Sequence, residues 1–488
     1  MTAEVPAAPD GGWGWIALAA SVSNEILLAG YVEGMGALFV EWQKFFDVGA
    51  AEVGWVGILT ALNGPFGCLI AGGLTSRYGT RPIVIIGGLV FAALMLAVTF
   101  STELWHIYVL IFVQSFFTGL AFQPTVTVIG FYFQNWLAFA NGVTYSGVGI
   151  GIIVIPLLVE TLSSRYTWKG AMRILSAISL LVCLSGVLFR PSAKECYFLR
   201  QNKISRKNRK NTSDHEMNFA RKCYHFVVSI PRFLGMDLLY EKPRFATVTA
   251  SCCVMGYGYY ASLVFFASKA VFEAGLSKFQ GALLLSFIGI GSTISRATHG
   301  FLLDCNIVSA MPLYALACFI NAATDFLNPF AFSFSSLTVL AVSFGLSSGL
   351  IFAVSIMCVR TVLNEDQVAK GFGVILMFNG IGTLIGLFVM GYLEKATGSY
   401  SIPFIVAGFA LVLSGVLMAC DYVYMVYFHE SRNAKRRDET TNDQSDHVQE
   451  EVNEKLTTPT QPVNQIQMKM LESDMESENG TEREAVAV

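Results

Sequence analysis

The stretch D10-GGWGWIALAASVSNEILLAGYVEGMGALF-39 decides how the rest of the chain is read. A glycine–tryptophan lead-in opens an apolar run long enough to cross a hydrocarbon core of about 30 Å. Inside that run stand two carboxylates, Glu25 and Glu33. An ionised side chain near the bilayer centre costs about 2.5–3.5 kcal/mol on insertion scales, so acids at this depth usually face a protein-lined pathway. The stretch therefore points to a solute carrier.

Composition agrees. In 488 residues the chain is 54% hydrophobic and only 14% charged, with a mean hydropathy of +0.55, which excludes an ordinary soluble protein. The first dozen residues, MTAEVPAAPDGG, have no basic n-region, and the run that follows is too long for a signal-peptide core, so the first helix is expected to stay in place. The ten cysteines show no CxxC spacing, and neither a disulfide framework nor a zinc site is expected.

Outward from the first helix, six apolar spans are expected at about 14–39, 54–74, 82–101, 104–127, 138–160 and 168–190. Six more follow at about 245–268, 279–303, 308–327, 333–359, 368–393 and 402–427. Between the sets, Arg190–Arg244 carries thirteen Lys/Arg and five Asp/Glu, a net of 13 − 5 = +8. The positive-inside rule assigns this connection to the cytosol, and six spans on either side then leave both termini there. The expected organisation is a cytosolic N-terminus (1–13), a six-helix bundle (14–190), a basic cytosolic loop (191–244), a second six-helix bundle (245–428) and a tail (429–488). Arg165 and Lys169 on the outer side run against the charge rule.

The tail, with fourteen Asp/Glu against seven Lys/Arg and almost no aromatics, reads as disordered. Its end, Val486-Ala487-Val488, could add to a PDZ-type groove or be a frayed terminus without a partner. Asn211 and Asn479 stand in glycosylation sequences that this topology places in the cytosol.

Two short motifs suggest an internal repeat: Gly72–Arg81, GGLTSRYGTR, after span two, and Gly300–Cys305, GFLLDC, after span eight. They resemble the loop motif of the major facilitator superfamily, with Ser76 where that motif usually has Asp and Asp304 keeping the acid in the second copy. Small residues at Gly147, Gly149, Gly151, Gly382 and Gly386 suit close helix packing.

The lead-in Pro9–Trp15, PDGGWGW, resembles the first-helix signature of monocarboxylate transporters (solute carrier family 16), and Phe131–Gly151, FYFQNWLAFANGVTYSGVGIG, resembles that family's second motif. Asp10, Gly11, Gly12, Trp13, Trp15, Tyr132, Phe133 and Gly142 carry the match, with WKGA at Trp168–Ala171 and GYLEKATGSY at Gly391–Tyr400. The resemblance covers about residues 9–428. It implies an all-α major facilitator fold of twelve transmembrane helices in two halves. It also implies a plasma-membrane carrier of small carboxylates by alternating access, without a cofactor, and, for some members, a single-span glycoprotein chaperone as partner.

Three departures mark this chain. Where proton-coupled relatives have a lysine in span one, Glu33 stands; where they have an Asp one turn before the key arginine of span eight, Ser292 stands; Arg296 is kept. The basic cluster before span five has become Gln134-Asn135-Trp136. Ser292 and Arg296 are four apart and share a helix face. A guanidinium matches a carboxylate with two parallel donors, which assigns Arg296 to a substrate carboxylate; a structural ion pair with an acid of span one is the alternative. Glu33 lies about 80° round the helix from Glu25 at 100° per residue, so one cavity could be lined by both, with Asn24 and Tyr31 beside them. Counted on these groups alone, the relatives' site sums to +1 and this one to −1.

The expected substrate is accordingly a zwitterionic, cationic or bulky amphipathic carboxylate, or else one Glu carries the proton that the missing Asp would carry. His299, one turn beyond Arg296, reads either as a proton relay or as the helix end. An orphan sensor or adaptor that has lost transport is the competing reading. No nucleophile–base pair, phosphate-cradling loop, metal motif or nucleic-acid footprint appears, so neither an enzyme nor a nucleic-acid binder is expected.

Overall fold

The structure, a computed structural model, describes residues 5–213 and 230–428. Glycine-spaced apolar runs fold here as long helices, which satisfy their own backbone groups as a bilayer demands. They are α1 (Trp13–Phe46), α2 (Ala50–Tyr78), α3 (Thr80–Val98), α4 (Leu104–Thr127) and α5 (Leu137–Leu188). After these come α6 (Ala193–Ser213), α7 (Pro243–Phe272), α8 (Lys278–Asp304), α9 (Ala310–Leu327), α10 (Phe334–Val362) and α11 (Val368–Thr397). The last is α12 (Ser401–Phe428).

Eleven of the described helices are long and apolar enough to cross a membrane; the polar α6 is not among them. The eleven match twelve expected spans because α5, at 52 residues, holds two arms either side of Thr167, about 45 Å and 32 Å long at 1.5 Å per residue, each enough for one crossing. Its chain reverses at Thr167, where φ is 63° and ψ 165°.

Contacts with α1 fix the reversal. The first arm of α5 runs beside α1 in the same direction: a side chain on Gly147 would meet Val22 and Glu25, and one on Gly151 would meet the backbone of Gly30. The second arm returns: Trp168 packs edge-on to Trp42 at 6.3 Å, the Ser185 hydroxyl donates to Asn24 Oδ1 at 2.6 Å, and Leu188 accepts from the Trp13 indole at 2.8 Å. Spans five and six thus form a hairpin around α1.

The N-terminal lead-in is clasped into the corner where this hairpin begins and ends. Asp10 Oδ1 accepts from the backbone N–H of Gln134 at 2.6 Å and Asn135 at 3.0 Å. Gly12 takes the left-handed φ of 56° that lets the chain turn into α1. Trp15 meets Phe133 edge-on at 5.3 Å, Arg190 lies 3.7 Å over the Trp13 ring, and the Tyr132 hydroxyl donates to the carbonyl of Arg190. The motif residues Asp10, Trp13, Trp15, Tyr132 and Phe133 therefore meet in space, on the side of the molecule that carries the 190–243 connection.

One buried cluster gathers Leu28, Phe91, Ile111 and Leu175 in the first half. Another gathers Phe245, Ile288, Tyr314, Phe344 and Phe372 in the second, and Leu69, Val126, Ala138 and Tyr145 of the first half join it along the seam. The seam is close-packed on two sides. Side chains on Gly149 or Gly300 of the α5–α8 contact would strike Thr293 or Phe139, and one on Gly72 of the α2–α11 contact would strike Ala369 and Lys370. The described residues up to Val423 form one compact unit; beyond it the Tyr424 and Phe428 rings meet at 4.4 Å.

The basic connection, expected as a loop, contains α6. Ser192 caps it by accepting from Glu195 N–H at 3.1 Å. Glu195 Oε1 in turn accepts from Thr80 N–H at the start of α3, 2.8 Å away. The tail from residue 429 with its PDZ-type end and Asn479, and the side chains of Glu33 and Asn211, lie outside the described residues.

Candidate functional site

The site is built where α1 and α5 of the first half face α8 and α10 of the second. Arg296, on α8, is 5% exposed. One guanidinium nitrogen donates to the carbonyl of Tyr145 at 3.4 Å, its centre lies 5.8 Å from the Phe352 ring of α10, and its Nε has no hydrogen-bond partner. The arginine therefore bridges the halves weakly, with donors to spare.

Glu25, on α1, is fully buried, and neither carboxylate oxygen has a partner among the described residues. No described ion pair within 4 Å joins it to Arg296, although Arg296 is the charge that acts on it most directly. Tyr145 stands within electrostatic reach of both, and Cys68 of α2 within reach of Glu25. Burying a carboxyl without a hydrogen bond is costly unless something completes it. The position is held by backbone packing, because Gly147 leaves just enough room for the Glu25 Cβ.

Around this pair the expected residues separate into two groups. Ser292 is buried one turn from Arg296 against Gly349 of α10. His299 is buried, with Nδ1 2.8 Å from the Arg296 carbonyl and Nε2 without a partner; Gly142 packs on both residues. These belong to the central cluster.

Asn24 and Tyr31 instead brace the first half internally. Asn24 donates to Thr125 Oγ1 at 3.1 Å and accepts from Ser185; Tyr31 donates to Gln114 at 3.2 Å and packs edge-on to Phe91. Both amide and phenol are occupied by the protein. The backbone of Glu33 continues α1 two turns beyond Glu25.

Sequence reading passed over three features. Cys68 joins the Glu25–Tyr145 neighbourhood, but a single cysteine in an apolar run gives no signal. Asp325 of α9, 1% exposed, accepts from Ser262 of α7 at 2.8 Å. Lys269 is fully buried and donates to the carbonyls of Asn328 and Ala331. Both lie at the ends of their apolar runs, where a span estimate treats a charge as wet.

Polar ties join the halves on the side of the 190–243 connection. Asp304, at the end of α8, accepts from the N–H groups of Ala138 at 3.0 Å and Phe139 at 2.8 Å, which belong to the unpaired first turn of α5. Gln123 of α4 donates to Ala369 of α11 at 2.7 Å. Lys194 of α6 pairs with Glu365 at 2.8 Å. Ser76 stands where an acid is usual; its hydroxyl donates to its own helix at Gly72 and its carbonyl accepts from Asn202 of α6, and Glu195 from α6 supplies the carboxylate at the start of α3.

Comparison with known proteins agrees with this architecture. A family model described as Major Facilitator Superfamily matches residues 26–327. Monocarboxylate transporter 13 of Rattus norvegicus is 29% identical over 418 residues, covering 85% of this chain and 91% of that protein. Monocarboxylate transporter 12 of Mus musculus is 26% identical over 429 residues, covering 84% and 85%. Monocarboxylate transporter 2 of Rattus norvegicus is 26% identical over 441 residues, covering 88% of each.

Among solved structures, the E. coli fucose:proton symporter FucP aligns with a TM-score of 0.63 at 17% identity, over 84% of this chain and 99% of that one. The proton:xylose symporter XylE, bound to a halogenated glucose, aligns with a TM-score of 0.62 at 12% identity, over 83% and 95%. With a family model spanning more than half of its length, this multi-pass chain belongs to the major facilitator superfamily of membrane transporters, and within it is similar to proteins named monocarboxylate transporters.

Proposed function

We propose that the protein carries amphipathic or zwitterionic monocarboxylates across the plasma membrane by alternating access, with both termini and the basic connection in the cytosol. The observation that carries this reading is the pair of incompletely partnered charges at the centre, Arg296 on the second half and Glu25 on the first. A carboxylate entering between them takes the guanidinium's free donors. A cationic or polar group on the same molecule faces Glu25.

The +8 connection supports the cytosolic assignment, and the ties of Asp304, Gln123 and Lys194 then close that face. Opening the site to the cytosol requires these ties to break while the opposite ends of the halves approach. Symport fits the same geometry, because Glu25 has two ways to shed an uncompensated charge: it takes a proton, or it draws close to Arg296.

The test is radiolabelled uptake into proteoliposomes over a panel of lactate-like, aromatic, zwitterionic and long-chain carboxylates. Hydrogen bonds to charged groups are worth about 1.5–3 kcal/mol, so Arg296→Lys, which keeps the charge but loses the planar fork, should lower kcat/KM about ten- to a hundredfold. Unchanged kcat/KM removes Arg296 from substrate binding. No saturable uptake of any carboxylate would favour the adaptor reading.

A further inference from the structure

Seven Lys/Arg and one Glu fall in α6, a net of 7 − 1 = +6, and the protein covers only part of this helix. Its first half is docked. The Phe198 ring lies 6.5 Å from that of Phe131, a side chain on Gly79 would meet Leu199, and Asn202 Nδ2 donates to the carbonyl of Ser76 at 3.2 Å. Beyond Asn202, the residues Lys203, Ile204, Ser205, Arg206 and Lys207 are exposed one after another, which is more than a full helical turn.

The docking contacts set the height of that turn. Tyr78 ends the apolar span of α2 and Thr80 opens that of α3, so Leu199 and Asn202 touch the protein where those spans leave the apolar layer. From Asn202 to Lys207 is about 7.5 Å at 1.5 Å per residue. The basic turn thus lies within about 8 Å of headgroup level, one Debye length at physiological salt.

Two exposed arginines stand at the same level, Arg77 at the end of α2 and Arg81 at the start of α3. Burial and the nearby Arg77 push the Arg206 guanidinium down from its ordinary value, a sign that like charges of α2 and α6 are brought together. Asp237, Glu241 and Asp366 share a recess with Arg206. Among the described residues, however, no ion pair within 4 Å reaches Arg77 or Arg206. Cations gathered in this way repel one another unless an anion completes the group.

We propose that Arg77, Arg81, Lys203, Arg206 and Lys207 form a docking surface for the headgroups of anionic phospholipids in the leaflet on that side. Clusters of four to eight Lys/Arg immediately beside a crossing are attracted to a negatively charged leaflet. Place and shape favour the bilayer over a soluble anion: the cations lie at headgroup level, and they are spread over two helix ends and an exposed turn rather than closed into a pocket. Ile204, 47% exposed among them, adds an apolar side chain that can enter the headgroup boundary. The inference rests on the cytosolic placement of the 190–243 connection proposed above, which selects the leaflet rich in anionic lipid.

The experiment is native mass spectrometry of the detergent-solubilised full chain, titrated with phosphatidylserine or phosphatidylcholine. Phosphatidylserine should bind more tightly, by a margin that shrinks as salt is raised. Each Lys or Arg near an anionic surface is worth about fivefold in affinity, so Arg77→Gln with Arg206→Gln should weaken phosphatidylserine about twenty-five-fold. Lys203→Gln with Lys207→Gln, at exposed positions, should weaken it similarly. Arg77→Lys with Arg206→Lys keeps both charges and should bind as the wild type does.

Equal binding of the two lipids would overturn the proposal, as would phosphatidylserine binding untouched by both pairs of Gln substitutions. Displacement of phosphatidylserine by an equal concentration of inorganic phosphate would assign the cations to a soluble anion and overturn it as well. Binding in detergent does not depend on orientation. Modification of Lys203→Cys by an impermeant maleimide outside intact cells, with the other exposed cysteines removed, would instead reject the cytosolic placement and leave the lipid surface standing.

Discussion

At the centre of the molecule, the proposed site turns on which buried ionisable side chain lacks a partner. Arg296 spends one donor on a long bond to Tyr145 and keeps others free, whereas Glu25 spends nothing. The two sit on opposite halves, so in the proposed cycle their separation changes as the halves rock. Glu25→Gln keeps the volume and removes the ionisable group. If Glu25 carries the coupled proton, uptake by the wild type should vary several-fold between external pH 5.5 and 8, and uptake by Glu25→Gln should be flat; matching profiles for the two would exclude Glu25 from coupling.

Residue-level legibility followed burial. Glu25 and Arg296 stood out because a charge deep in an apolar run has few explanations. Asn24 and Tyr31 were read from the same helix, yet their side chains turn to Thr125, Ser185 and Gln114, which no spacing on α1 alone could reveal. Asp325 and Lys269 were missed because a helix end looks the same in sequence whether it is wet or covered.

Among the helices, the telling contact is the reach of Asp304 across the seam to the first turn of α5. Side-chain caps of this kind are worth about 0.5–2 kcal/mol, and this one exists only while the halves are closed on its side. Asp304→Ala should therefore raise the population open on that side about two- to thirtyfold. Electron–electron distance measurements between labels at Trp136→Cys and Cys305, with the other exposed cysteines removed, would show a longer component growing; an unchanged distribution would mean that the cap does not bias the equilibrium.

The twelve crossings were legible because length and apolarity suffice for them. The tightness of the turn between spans five and six was not, since one residue at positive φ, Thr167, reverses a chain without altering its hydropathy. Nor was α6: its sequence is mostly polar, and it is docked by the hydrogen bonds and ion pair of Glu195, Asn202 and Lys194 together with a short apolar contact of Phe198 and Leu199.

Across the whole molecule, α6 ties both halves to the connection between them. Burial pushes the Glu195 carboxyl up from its ordinary range, partly offset by the Thr80 N–H that it accepts. A raised folded value means that the folded state holds the proton more tightly than the unfolded one. The contribution is thus fully present below the ordinary carboxylate range and is lost as pH rises through the folded value. Thermal unfolding of the detergent-solubilised full chain should show the wild type losing more Tm than Glu195→Gln over that window. Parallel curves would show that Glu195 does not titrate differently on folding.

The clasp at the start of α1 has a consequence for how the chain is made. Asp10 bonds residues 124 and 125 positions later, and Trp13 a carbonyl 175 positions later. When the first helix leaves the ribosome, nothing yet exists to hold its lead-in. The six crossings of the first half must all be inserted before that end is locked, so the signature nearest the N-terminus is among the last parts of its bundle to be completed during synthesis.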